Sequence, residues 1–302
     1  MNETPGAVEA PSVGFIGLGA IGAPMAQRIL GAGLRLQVWN RTPGKMQALL
    51  DAGAVAAESP ADLARRSDIV CTCVTDAGAL ESVVFGPDGI ASAAGRARLL
   101  VDNSTTHPRI SREMADRLLE ASGMRWLDVP VSGGPVGARA GTLAAMVGGD
   151  AADLAFARPV IASYARQVTH MGPVGAGQAT KACNQLINFV GMAAVAEALH
   201  LGAGFGIDVD RLPLALAGGF ADTPILREFA RGKAAAETDG ITFLIEALRA
   251  FHEGRPDPAW RGSLHILLKD MGIVHDLGRA TGRVTPVFDL VESFYRIIDG
   301  SA

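Results

Sequence analysis

The 302-residue chain is poor in cysteine, in aromatic residues and in charge. Its three cysteines, Cys71, Cys73 and Cys183, are odd in number and form no C-x-x-C pair, so neither a disulfide framework nor a zinc spacing is present. They are expected as reduced, buried thiols. Six histidines, His107, His170, His200, His252, His265 and His275, have no ligand-like neighbours, and no metal is expected. The net charge of −4 and the lack of any Lys/Arg block argue against non-specific binding to nucleic acid or an anionic membrane. The N-terminal "MNETPGAVEAPS" has no positive n-region and no apolar core, and no stretch of about eighteen residues lacks a polar interruption. A cytoplasmic protein with a disordered leader over 1–11 is the expectation.

What the chain has is apolar mass: 49% of it is hydrophobic and 19% charged, enough for a large core, and at this length two domains are expected. From Val13 to about Met171 short apolar runs alternate with helical patterns: "VGFIG", "LRLQVWN", "DIVCTCV", "RLLVDNS", "MRWLDVPV", "AAMVGG" and "QVTHM". That rhythm describes βα units and a mainly parallel, doubly wound sheet. "DIVCTCV" is apolar at nearly every position, as a central strand covered on both faces should be. Beyond "MGPVGAGQ" strands give way to helical stretches at 178–205, 210–218, 224–230, 240–252, 263–279 and 286–298. The reading is α/β over 12–173, then an all-helical domain over 174–302, with the hinge near 172–177.

"VGFIGLGAIGAPMAQRIL" carries G-x-G-x-x-G as Gly17, Gly19 and Gly22, directly after a strand and opening a helix. Gly17 permits the tight turn, Gly19 lets a pyrophosphate approach the backbone, and Gly22 allows close helix packing. Gly17, Leu18, Gly19, Ala20, Ile21 and Gly22 are therefore the candidate dinucleotide loop. The second strand ends in "VWNRT", where an NAD-preferring protein usually places Asp or Glu for the ribose hydroxyl. Asn40 is neutral, Arg41 can meet a 2′-phosphate bidentately and Thr42 adds a hydroxyl, so NADP(H) is favoured. NAD use stays open. Later strand-end loops, Val74-Thr75 and Asn103-Ser104-Thr105, should line the same crevice, with local capping the alternative for each hydroxyl.

In "GAGQATKACNQ", residues 175–185, a lysine stands near the start of an apolar helix. At a hundred degrees per residue Gln178, Lys181, Asn184, Gln185 and Asn188 share one narrow face. On the helix alone an exposed face is the favoured reading, because lysines snorkel readily. "DVPVSGGPVGARAGTLAAMVGG" tips the balance toward a ligand. It puts Ser132, Gly133 and Gly134 just past a strand end, where a hydroxyl and backbone N–H groups could cradle a carboxylate. A tight turn alone remains the other reading.

"GFIGLGAIGAPMA", "DVPVSGGPVGARAGTL", "GPVGAGQATKACNQ" and "LLKDMGI", in this order along nearly the whole chain, resemble the β-hydroxyacid dehydrogenases. That family includes 3-hydroxyisobutyrate dehydrogenase and tartronate semialdehyde (2-hydroxy-3-oxopropionate) reductase. The resemblance implies a Rossmann domain and a helical domain joined through a long helix, assembled as homodimers or homotetramers. It makes Lys181 the catalytic residue and Ser132, Gly133 and Gly134 the seat of a small substrate's carboxylate. Val74, Thr75, Thr105 and Lys269 match cofactor-contacting positions. Many relatives carry Asn four residues after the lysine; here that place is Gln185, with Asn184 beside it, so which amide assists the lysine stays open. Residues 236–262 depart from the family patterns.

The implied chemistry is hydride transfer between NADP(H) and a small 3-hydroxy acid or its semialdehyde, with Lys181 as proton donor and acceptor. An unperturbed lysine, with a pKa of roughly 10.4, is a poor base at neutral pH unless burial lowers that value. A substrate carboxylate would raise it again, so an alkaline optimum for oxidation is expected. Imine reductases share the plan but often place Asp or Tyr at the lysine position. A non-catalytic NADP-binding protein is the lesser alternative, since Lys181 and "VSGG" are both retained.

Overall fold

The computed structural model describes residues 10–93, 96–235, 240–255 and 264–301. Most of the leader reading (residues 1–9) and residues 236–239 and 256–262 of the divergent segment lie outside them. By their contacts the residues form two units, Met1–Lys181 and Ala182–Ala302. The division falls inside the helix that opens at Ala176.

In the first unit the chain runs β1 (Val13–Ile16), α1 (Gly22–Gly31), β2 (Leu36–Trp39), α2 (Gln47–Asp51), β3 (Val55–Ala56), α3 (Pro60–Arg65), β4 (Ile69–Thr72), α4 (Ala77–Phe85) and β5 (Leu99–Asp102). It continues through α5 (Pro108–Ser122), β6 (Arg125–Asp128), β7 (Val131–Ser132), α6 (Gly134–Ala140), β8 (Leu143–Gly148), α7 (Ala151–Tyr164) and β9 (Ala165–Gly172) into α8 (Ala176–Gly204). The strands form one sheet in the order β3-β2-β1-β4-β5-β6-β8-β7, with β9 paired to β8. β1 pairs in parallel with β2 on one side and β4 on the other, so the winding reverses there. In such sheets the crevice at this reversal, beyond the strands' carboxyl ends, holds the ligand.

Every residue of β1, β4 and β5 is buried, which explains why these strands read as unbroken apolar runs. Successive side chains point to opposite faces. Phe15, Cys71, Val101 and Leu127 pack with Met25 and Ile29 of α1 and Val160 and Ile161 of α7. Ile16, Val70, Leu100 and Trp126 pack with Leu63, Leu80 and Leu118 from the helices of the other face. Burial pushes the Cys71 thiol up, so it stays protonated and behaves as a small hydrophobe. Helix starts are set locally: Ser59, Asp76 and Asp150 each accept a first-turn backbone N–H, and Pro60 opens α3.

The expected single strand "MRWLDVPV" is two. β6 runs parallel to β5, while β7 runs antiparallel to β8. Pro130, which has no N–H for a ladder bond, marks the break, and its carbonyl instead accepts Met146 N–H at 3.1 Å. Cys183 is exposed, correcting the expectation of three buried thiols.

The second unit adds α9 (Leu212–Leu216), α10 (Pro224–Ala234), α11 (Gly240–His252), α12 (His265–Thr281) and α13 (Pro286–Asp299). Phe189, Met192 and Ala196 of α8 share its core with Ile245, Met271, Phe288 and Tyr295. α8 is long and apolar enough, by length and composition, to cross a membrane; it is also the helix around which this core packs. Leu201, Phe205, Leu214 and Phe220 leave large apolar side chains exposed.

Candidate functional site

The glycine loop is held from three directions. Gly17 has φ +96° and donates its N–H to Trp39 O at 3.3 Å, closing the turn against β2. A Cβ on Gly22 would lie 2.0 Å from Gly17 O, so α1 starts directly against the loop backbone. Leu18 N–H donates to Asn40 Oδ1 at 2.9 Å, and Asn40 Nδ2 donates to Thr42 O at 2.9 Å. Asn40 thus works as a staple between the loop and the end of β2, a role that would be hard to read from residue type. Gly19, Ala20, Arg41 and Thr42 are exposed, and the orphan N–H groups of a helix start favour a phosphate there. These residues fit a dinucleotide.

At the ends of β4 and β5 a buried network supports the next loops. Asp102 Oδ1 accepts Thr72 Oγ1 at 2.9 Å and Ser104 N–H at 3.0 Å, and Ser104 Oγ accepts Val74 N–H at 3.0 Å. Val74 is therefore fixed by its backbone, and Thr75, exposed, donates its hydroxyl to Asp76 at 3.0 Å. Thr105 follows Ser104, half-buried. Desolvation pushes the Asp102 carboxyl from 3.8 up to about 6, against the pull of the Ser104 and Thr72 bonds, with the Asp128 charge adding to the rise. The folded chain thus keeps a proton that the unfolded chain releases, so stability falls as pH rises from 3.8 to about 6. Each unit of separation is worth about 1.4 kcal/mol. Asp102→Asn should flatten this slope, so its urea midpoint relative to wild type should improve between pH 4.5 and 7.5. A difference that is the same at both pH values would exclude Asp102 as the source.

Lys181 is 7% exposed, and its Nζ donates to Val131 O at 2.9 Å. The structure therefore places it beside the Ser132-Gly133-Gly134 loop, where Gly133 (φ +127°) and Gly134 (φ +59°) hold backbone geometries that favour glycine. Gln178, one turn earlier, is buried and bonded through both ends of its carboxamide and its N–H. Its Nε2 donates to Ser104 O at 2.7 Å, its Oε1 accepts Thr106 N–H at 3.1 Å, and its N–H donates to Asp128 Oδ2 at 2.8 Å. The polar face read from the helix is real, but its first member is structural cement.

The other predicted residues belong to the second unit. Gln185 Nε2 donates to Asp270 Oδ2 at 2.6 Å, Gln185 Oε1 accepts Asn184 Nδ2 at 3.0 Å, and Lys269 Nζ lies 3.1 Å from Asp270 Oδ1. Asn184, Gln185 and Lys269 are brought together by the buried Asp270. Gln185 is thereby occupied at both ends of its carboxamide, whereas Asn184 commits its Nδ2 to Gln185.

Asp102, Asp128 and Asp270 are the residues that sequence reasoning did not single out. Each is a buried carboxylate whose bonds reach a predicted site residue or the loop that carries one. A carboxylate at a strand end or within an apolar helix is the signal, and it is weak because the partners lie far away in the chain. Among the described residues no group of three or more His, Cys, Asp or Glu could hold a metal ion.

The family described as the NAD binding domain of 6-phosphogluconate dehydrogenase matches residues 12–172. The family described as NAD-binding of NADP-dependent 3-hydroxyisobutyrate dehydrogenase matches 175–247. The chain is 33% identical to an NAD-dependent L-serine dehydrogenase of Pseudomonas aeruginosa over 95% of its own length and 91% of the relative's. It is 40% identical to a 3-hydroxyisobutyrate dehydrogenase of the same organism over 65% of each chain. A solved Mycobacterium tuberculosis 3-hydroxyisobutyrate dehydrogenase with L-serine superposes with a TM-score of 0.74 at 28% identity, covering 95% of this chain and 93% of that one.

Proposed function

Because the chain belongs to the β-hydroxyacid dehydrogenase family, and is thus an NAD(P)-dependent oxidoreductase, we propose that it interconverts a small 3-hydroxy acid and its semialdehyde with NADP(H), Lys181 moving the proton. The observation that carries this reading is the buried Lys181 ammonium 2.9 Å from Val131 O, one residue from the Ser132-Gly133-Gly134 loop. A substrate carboxylate on that loop would sit beside a proton donor. When bound, the nicotinamide supplies or accepts the hydride. Ser132 and the glycine amides would orient the carboxylate, Val131 O holds the ammonium in place, and Lys181 gives its proton to the carbonyl oxygen or takes it from the alcohol.

One relative is named NAD-dependent and one matching family NADP-dependent, so their names conflict on the cofactor. Asn40 and Arg41 support the NADP(H) reading for this chain. Asn40 is neutral and its carbonyl accepts Leu18 N–H, so it brings no negative charge that would repel a 2′-phosphate, and Arg41 beside it is exposed and can meet one.

The test is a panel in which tartronate semialdehyde, succinic semialdehyde, glyoxylate, methylmalonate semialdehyde and a cyclic imine are each assayed with NADPH and NADH in parallel, and 3-hydroxyisobutyrate and L-serine with NADP+ and NAD+. Semialdehyde turnover with NADPH preferred, or hydroxyacid turnover with NADP+ preferred, supports the reading. Turnover of the imine alone overturns the substrate class, and faster turnover with NADH overturns the cofactor reading. The exposed apolar side chains of the second unit suit a homodimer or homotetramer, which light scattering would read; a monomer at assay concentration would contradict it.

A further inference from the structure

We propose that Asp128 and Gln178 are positioning residues for Lys181, fixing the first turn of α8 to β6 and to the loop after β5 so that the ammonium is set against Val131 O. The inference rests on the reading of Lys181 as the proton donor.

A helix normally takes its first cap from the residue at its own start, whose side chain accepts an early N–H. α8 has no such residue: Gly175 stands there with φ +92° and no side chain. The acceptor comes from 47 residues earlier. Asp128 Oδ1 accepts Gly175 N–H at 2.7 Å and Oδ2 accepts Gln178 N–H at 2.8 Å. The helix is therefore bolted to the end of β6 through its backbone.

The spacing along the two segments is matched. Asp128 meets Gln178, and three residues later on each segment Val131 meets Lys181. The lysine thus lies on the second rung of a two-rung attachment whose first rung is a buried carboxylate. Gln178 adds a perpendicular tie, bonding Ser104 O and Thr106 N–H on either side of Thr105. One residue sets the lysine's height over β6 and its distance from a loop assigned to the cofactor.

The fit leaves little slack. A Cβ on Gly148 would lie 2.4 Å from Asp128 Oδ1, and a Cβ on Gly177 would lie 2.4 Å from Met146 O and 2.7 Å from Asp128 O. Both glycines let β8 and α8 close on the carboxylate. Burial raises the Asp128 carboxyl's affinity for a proton, and the Gly175 and Gln178 N–H bonds oppose that rise. An asparagine would keep one acceptor and turn an N–H toward the other backbone donor, releasing one rung.

Misplacing a reacting group by about 1 Å can cost about 10²-fold in rate. Asp128→Asn and Gln178→Leu should each lower kcat by about that factor, per folded site, and Asp128→Asn should keep the NADPH Kd within about twofold of wild type. The deciding readout is a double-mutant cycle: Gln178→Leu in a Lys181→Ala background should cost nothing further, because its effect passes through the lysine. Additive losses, or an unchanged kcat in Gln178→Leu, would overturn the positioning role. Should Asp128→Asn fail to fold, Gln178→Leu carries the test alone. Normal turnover in Lys181→Ala would instead sink the proton-donor reading, and is distinguishable because it needs neither positioning variant.

Discussion

Lys181→Ala is expected to lower kcat by about 10²–10⁴-fold, the range for a lost general acid or base, while NADPH binds as before. The separation follows from what the side chain touches. Lys181 Nζ donates to Val131 O, beside the loop assigned to the substrate carboxylate, whereas the glycine loop and Asn40 are held by their own bonds. The first turn of α8 keeps its bonds to Asp128, Ser104 and Thr106 in the variant, so the helix start does not depend on the lysine. Lys181→Arg sharpens the test. A guanidinium keeps the positive charge but does not release its proton in proteins, and its planar fork does not match a single carbonyl. Proton transfer predicts that Arg is nearly as slow as Ala; a purely electrostatic role predicts substantial recovery. Steady-state kinetics with a fluorescence titration of NADPH reads both quantities. Wild-type turnover in the alanine variant would remove the lysine from the chemistry.

The parts of this molecule that were legible in its sequence are those whose physics is local. β4 reads as a buried strand because both its faces are covered, leaving no polar alternation to confuse it. Gly17 and Gly22 read as a phosphate loop because the turn needs a positive φ at one and a missing Cβ at the other. Lys181 was conspicuous as a cation in an apolar helix. The polar scaffold beneath them was not legible. Asp128 acts on backbone N–H groups that any residue would present, and Gln185 meets Asp270 from 85 residues away. Two adjacent amides, Asn184 and Gln185, cannot be told apart from type and spacing, and the carboxylate that Gln185 meets lies far along the chain. The unit division within α8 was hidden for a related reason, since a continuous helix carries no break in pattern while its first turn is tied to the sheet.

The glycine loop gives the second large effect, as a contrast between Gly22→Ala and Gly19→Ala. A Cβ on Gly22 would meet Gly17 O at 2.0 Å, a backbone atom that no rotamer change can move aside. The loop cannot retreat either, because Gly17 itself leaves its own missing Cβ position only 2.3 Å from Cys73 O. Overpacking of this kind costs about 1–3 kcal/mol. Gly22→Ala should therefore lose both stability and cofactor affinity. Gly19 has no atom within 4 Å of its would-be Cβ and no positive φ, so alanine there is accommodated by the fold. It can even stabilise by about 0.4–1 kcal/mol through a less flexible unfolded chain. Yet its methyl stands where a pyrophosphate must approach the backbone, and NADPH affinity should fall by tenfold or more, about 1.4 kcal/mol. Urea midpoints and NADPH titrations on the two variants separate the effects. If Gly19→Ala binds NADPH as tightly as wild type, the pyrophosphate does not lie on this loop; if Gly22→Ala is as stable as wild type, the contact that fixes α1 against the loop is not the one described.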